Sequence, residues 1–112
     1  MNRILGIGAA VMDYIGILAH FPDEDSKAAF LPHSPVGPQL GGPTPVRLSY
    51  LSRLGWNCTY LGTVGGDPEG MAIQEMLNEQ GVKTEITIQN EGRSAYGHVW
   101  ISEATGTRTQ GF

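Results

Sequence analysis

The sequence predicts an α/β domain, and three observations predict it. Strand-like and helix-like segments alternate along the chain in the order strand, helix, strand, helix, strand. The first segment, residues 3–8 (Arg-Ile-Leu-Gly-Ile-Gly), is a short apolar run closing in glycine, as expected of a buried strand in a parallel sheet. Two later segments carry matched helix start and stop signals.

Residues 20–45 hold six of the seven prolines: Pro22, Pro32, Pro35, Pro38, Pro43 and Pro45. Proline cannot donate to a sheet ladder, so this stretch is expected to be loop or edge strand. The first helix is expected to begin at Thr44, with Thr44 as N-cap and Pro45 at the first helical position. Val46, Tyr50, Leu51 and Leu54 would share its apolar face. Gly55 would end it in the left-handed region, with Arg53 in the last turn. A strand from Cys58 to Val64 follows. The second helix has Asp67 as cap, Pro68 in the first turn, and Ala72, Ile73, Met76 and Leu77 as its apolar face. Gly81 closes it, and Val82 can fold back onto its last turn. Thr84–Ile88 reads as a strand. In residues 95–101, Tyr96, His98 and Trp100 share one face, and Gly97, Val99 and Ile101 the other. The turn at Glu103–Gly106 makes Arg108 and Thr109 the start of a hairpin partner.

Composition narrows the function classes. The 112 residues carry seven Lys+Arg against eleven Asp+Glu, a net charge of -4, which argues against a nucleic-acid footprint. No stretch approaches the ~20 apolar residues that span a bilayer, so no membrane partner is expected. The single cysteine, Cys58, excludes an internal disulfide framework and a multi-cysteine zinc site. It reads as a buried strand residue, and a cytoplasmic location fits it. His20, His33 and His98 lack metal-ligand spacing.

Among the short motifs, Gly6-Ile-Gly8 lacks the third glycine of a dinucleotide fingerprint, since Val11 stands at that position. Asp13 follows the first strand, where a carboxylate can accept hydrogen bonds from ligand hydroxyls; an exposed loop aspartate capping local backbone fits the spacing equally. Gly41-Gly42 precedes the first helix, where backbone can approach a ligand and helix-start amides can donate; a turn forced by the neighbouring prolines is the alternative. Asp67 is explained by capping, because Pro68 and Glu69 follow it.

Together these pieces resemble the N-terminal portion of the PfkB, or ribokinase-like, carbohydrate kinases. The resemblance is carried by Ile4-Leu-Gly-Ile-Gly8 with Asp13, Phe21-Pro22, Gly41-Gly42, Leu54-Gly55, Leu61-Gly-Thr-Val-Gly-Gly-Asp-Pro-Glu-Gly70, Gly81-Val82 and Gly106-Thr-Arg-Thr109, in that order. It implies a ribokinase-like three-layer fold with a parallel sheet, of which residues 1–112 are the first part, and a small β-lid at about 14–40 and 94–110. It implies that Asp13 binds sugar hydroxyls and that Gly41 and Gly42 line the sugar. Thr44 can supply a hydroxyl there, and Gly97 would sit on a lid strand near the sugar. The family usually has an asparagine where this chain has Val46, which removes one polar contact. The resemblance further implies ATP and Mg²⁺ for the intact enzyme but no cofactor or metal on this segment. The resemblance implies that the catalytic base lies beyond residue 112, so the chain alone is expected to be inactive. A sugar is the implied small-molecule partner, and the lid implies a homodimer. The alternative is a truncated, non-catalytic module for sugar binding or dimerisation. With only two helices available to cover a parallel sheet, the isolated fragment is expected to be marginal or aggregation-prone.

Overall fold

The computed structural model describes residues 3–112. In chain order the elements are β1 (Arg3–Ile7), β2 (Val11–Leu18), β3 (Gln39–Gly41), α1 (Pro43–Arg53), β4 (Asn57–Gly65), α2 (Pro68–Glu79), β5 (Lys83–Gln89), β6 (Tyr96–Ser102) and β7 (Arg108–Gly111). They form a three-stranded sheet in the order β1-β4-β5 and a four-stranded sheet in the order β3-β2-β6-β7. The chain divides into two units: Met1–Met12 with Leu40–Ala95, and Asp13–Gln39 with Tyr96–Phe112.

The first unit is two successive β-α-β crossovers. β1 pairs parallel with β4 (Gly6 opposite Tyr60) and β4 parallel with β5 (Tyr60 opposite Thr84). Alternation sorts β4 into two faces. Cys58, Tyr60 and Val64 are buried on one, and Leu61 is exposed on the other. Both helices lie on the buried face. Leu48 and Thr44 of α1 stand over Gly6 of β1, and Val64 of β4 lies under Gly70 of α2. On the opposite face Leu5 and Ile7 are 59% and 69% exposed, so that side of the sheet is bare among the described residues.

Both helices end in the same way. In α1, Gly55 (φ 96°) donates to the Ser52 carbonyl and Trp56 to Leu51. In α2, Gly81 (φ 81°) donates to Asn78 and Val82 to Leu77. This paired reverse bonding satisfies carbonyls that have no partner within the helix, and a glycine takes the left-handed position without a Cβ penalty. Val82 and Leu77 are both buried, which adds an apolar contact across the second turn.

The start of α1 corrects the expectation. The N-cap is Gly42, not Thr44, and Pro43 opens the helix. Proline is suited to the first helical position because its φ is already helical and its missing N–H is not needed there. Gly42 supplies the φ of 96° that lets the chain turn into it. The buried stripe is Pro45, Leu48 and Ser49. Tyr50 and Leu54, expected on the apolar face, are 60% and 77% exposed. For α2 the expected cap holds, with the Asp67 carboxylate accepting the Gly70 amide at 2.8 Å.

The second unit contains most of a strand that the sequence reading left out. β2 runs through residues expected to be the loop after the first strand. Its signal is the run Val11-Met-Asp-Tyr-Ile-Gly-Ile-Leu18, rich in β-formers; the charge at Asp13 and the glycine at 16 obscured it. β6 and β7 form the expected antiparallel hairpin, with Trp100 opposite Thr109. The two faces of β6 separate as expected: Gly97 and Val99 are buried, His98 and Trp100 exposed. Phe30 stands over Gly16, where a Cβ would collide with its ring, and meets Trp100 edge to face. Residues 20–38 carry no strand or helix, in keeping with their prolines.

Tyr60 is wholly buried at the centre of the parallel sheet, and its hydroxyl donates to the Gly8 carbonyl at 2.5 Å. Tyr60→Phe leaves that carbonyl without its partner and is expected to lower stability by about 1–3 kcal/mol. Chemical denaturation of the two proteins checks this, and equal midpoints would refute it.

Candidate functional site

The predicted sugar-binding residues fall into two groups, one in each unit. In the first unit, Gly41, Gly42 and Thr44 lie where β3 leads into α1. Gly41 is buried and Gly42 half-buried. A Cβ on Gly42 would run into the Ala9 carbonyl, and one on Gly8 into the Thr44 hydroxyl. The start of α1 is therefore seated directly on the backbone that leaves β1. The Thr44 hydroxyl points back to the Ile7 carbonyl at 3.4 Å, a long contact. Neither prolines nor side chains decorate this helix start with donors. No side chain caps it, and of its first three residues, Pro43, Thr44 and Pro45, only Thr44 has an N–H. Proline at two of these three positions removes two of the expected helix-start amides.

In the second unit the structure brings Asp13 and Gly97 together. Asp13 is the third residue of β2, not a loop residue. Gly97 lies on β6 with no side chain, and a Cβ there would sit 3.1 Å from Asp13 Oδ1, 3.3 Å from the Gly111 carbonyl oxygen and 3.3 Å from Phe112 Cβ. The glycine leaves the carboxylate its place. Burial pushes the Asp13 carboxyl above the ordinary aspartate range, and the Arg108 guanidinium opposes this. A half-buried carboxylate held on a strand beside a glycine can accept hydrogen bonds from hydroxyls of a small ligand. On the same unit, Tyr14 stacks on His98 at 5.5 Å between ring centroids, and Tyr96 meets that imidazole edge to face at 5.9 Å.

Two further residues position the first unit's strand ends, and the sequence reading missed both roles. Tyr60 holds the Gly8 carbonyl, as described above. Ser94, buried in an otherwise exposed stretch, bonds to Asp67 through both its amide (2.7 Å) and its hydroxyl (2.6 Å). No local pattern marks Ser94, which stands in a glycine- and serine-containing turn; only its distant partner reveals it. A crevice of about 280 Å³ opens at the carboxyl ends of β1, β4 and β5, with Ala10, Gly65, Gln89 and Ser94 among its lining. This is the end of an open parallel sheet at which ligands bind. Among the described residues, no three His, Cys, Asp or Glu side chains stand together as a metal site. No helix among them is long and apolar enough to cross a membrane.

No family model matches the sequence. The chain is 40% identical over 53 residues to an uncharacterized sugar kinase of Archaeoglobus fulgidus, covering 47% of this chain and 21% of that protein. It is 25% identical over 109 residues to the ketohexokinase of Mus musculus, covering 96% of this chain and 36% of that one. Among solved structures it superposes on a ribokinase from Giardia lamblia with a TM-score of 0.82 at 17% identity, over 99% of this chain and 33% of that one. It superposes on a fructokinase from Xylella fastidiosa with bound ATP with a TM-score of 0.72 at 24% identity, over 99% of this chain and 32% of that one. The chain has the ribokinase-like fold. The resemblance read from Gly41-Gly42, Leu61–Gly70 and Gly81-Val82 therefore holds, in sequence toward sugar kinases and in structure toward ribokinase-like proteins. The chain spans about a fifth to a third of the length of the relatives it matches.

Within this ribokinase-like chain, the carboxyl of Asp13 is expected to titrate above an ordinary aspartate, and Arg108→Ala to raise it further. Carbon-detected NMR of the Asp13 carboxyl reads both midpoints directly; an Asp13 midpoint at or below the ordinary value is the contrary result. The sign follows for stability too. A carboxyl raised in the folded state favours folding when protonated, so this group's contribution diminishes as pH rises through the window between its unfolded and folded pKa.

Proposed function

We propose that the chain is the sugar-binding N-terminal part of an ATP-dependent carbohydrate kinase, which transfers the γ-phosphoryl group of ATP to a sugar hydroxyl. The single observation that carries this reading is the match over nearly the whole chain, in sequence to a ketohexokinase and in fold to sugar kinases. In this reading Asp13 accepts hydrogen bonds from sugar hydroxyls, and Gly97 keeps the space beside it open. Gly41 and Gly42 bring backbone against the sugar, and Thr44 adds one hydroxyl and one amide. The second unit, residues 13–39 and 96–112, serves as the small β-lid, and two copies pair through it. The near-coincidence of that unit with the expected lid segments supports this assignment.

ATP supplies the transferable phosphoryl group. The resemblance places the nucleotide and Mg²⁺ on residues other than these, so no step through either is given to this chain. The sugar oxygen attacks the γ-phosphorus, the bond to the departing ADP oxygen breaks, and the hydroxyl proton passes to a base that the family resemblance puts beyond residue 112. What this chain contributes is orientation: holding the acceptor hydroxyl in line is a large share of catalysis in phosphoryl transfer.

Asp13 accepts hydroxyls most strongly when ionised, so sugar affinity weakens as pH falls through its raised pKa. Asp13→Asn is expected to lower kcat/KM for the sugar by about 10- to 100-fold, the worth of hydrogen bonds to a charged group. A coupled assay of ADP release over a sugar panel, with the protein carrying this chain, measures it. No ATP-dependent turnover with any sugar would sink the proposal, and an unchanged kcat/KM would remove Asp13 from it.

A further inference from the structure

The Asp67 carboxylate makes more bonds than a helix cap requires. Its Oδ1 accepts the Gly70 amide at 2.8 Å and the Ser94 hydroxyl at 2.6 Å, while Oδ2 accepts the Ser94 amide at 2.7 Å. The Ser94 hydroxyl oxygen in turn accepts the Gly65 amide at 2.9 Å. One side-chain pair therefore ties the end of β4, the first turn of α2 and residue 94. The space around it is closed to larger groups: a Cβ on Gly65 would meet Asp67 Oδ2 at 2.7 Å, and one on Gly70 would meet the Ser94 hydroxyl at 2.8 Å. Ser94 is 3% exposed, although residues 90–93 before it are exposed.

The next residue extends the fastening. The Ala95 carbonyl accepts the Met12 amide at 3.0 Å. Met12 and Ala95 are also the residues at which the chain leaves the first unit, toward Asp13 and toward Tyr96 and Gly97. Both strands that carry the candidate sugar pair thus depart from a point secured by Asp67. We propose that Asp67 is a positioning residue for the sugar-binding strands, acting through Ser94 and the Ala95–Met12 bond. This rests on the reading of Asp13 and Gly97 given above.

The hydrogen-bond donors around this carboxylate favour its ionised form. Its hydrogen bonds from Ser94 and Gly70 and the nearby Arg93 guanidinium hold the carboxyl below the ordinary aspartate range, against a smaller effect of burial. The other charged group at this helix start is Glu69, which lies 3.8 Å from Arg93. A carboxyl lowered in the folded state contributes stability above its unfolded pKa and loses it as pH falls through the folded one. The fastening therefore holds at neutral pH and fails only in acid.

Two variants separate fastening from capping. Asp67→Asn keeps one oxygen for the Gly70 amide, and asparagine is a good N-cap, but it sets an NH₂ against the Ser94 amide. Ser94→Ala removes the hydroxyl and leaves Asp67 in place. Amide hydrogen exchange is expected to speed at Ser94 in Asp67→Asn and at Met12 in both variants, by at least about tenfold. Gly70 keeps its wild-type rate in Asp67→Asn. In steady-state kinetics of the protein carrying this chain, sugar KM rises several-fold while kcat changes much less. Wild-type exchange at Met12 in both variants overturns the proposal, as does a matching rise at Gly70 or an unchanged KM beside raised exchange. If the wild-type protein carrying this chain phosphorylates no sugar, the kinase reading fails, while the exchange rates still decide whether Asp67 secures Met12.

Discussion

The close seating of α1 on β1 is the constraint on which the first unit depends. A Cβ on Gly6 would stand 2.6 Å from Leu48 Cδ1 and 2.8 Å from Thr44 Cγ2, and one on Gly8 would overlap the Thr44 hydroxyl. The helix can lie this near only because Gly6 in β1 and Gly8 just after it present bare backbone. That proximity places the Gly41-Gly42 turn over the Ala9 carbonyl and aligns the helix start with the end of the sheet. The Tyr60 hydroxyl reaches the Gly8 carbonyl, next to Ala9, from β4. Three elements thus converge on the few residues between β1 and β2.

Much of this was legible in the sequence, because helix punctuation is local chemistry. Asp67 with Pro68, and Gly55 and Gly81 with the residues after them, specify their ends by short-range bonds that any observer of the chain can count. Legibility failed where two signals competed. Thr44 was read as the cap because threonine is a good one, but Gly42 takes that place, and Pro43 fits the first helical position after it. β2 was hidden because Asp13, a functional candidate, interrupts its apolar pattern. A charged residue inside a strand is a local inconsistency of the kind that binding sites carry.

The candidate site was legible by type but not by mechanism. Asp13, Gly41, Gly42, Thr44 and Gly97 could be named from pattern and resemblance. Nothing local says that Gly97 exists to clear space for Asp13, since the two are far apart in sequence and meet only through strand pairing. Ser94 is the stronger case. Its importance comes wholly from Asp67, 27 residues away, and no composition or periodicity encodes that partnership.

The division of the second unit into two separated stretches has a bearing on biosynthesis. A ribosome releases β2 well before it has made β6, and residues 40–95, which complete the first unit, are translated in between. During that interval β2 waits with one of its neighbours still unmade, an exposed edge of mostly apolar residues open to any passing strand. Translation speed through the residues between β2 and β6 therefore sets how long that edge stays without its partner.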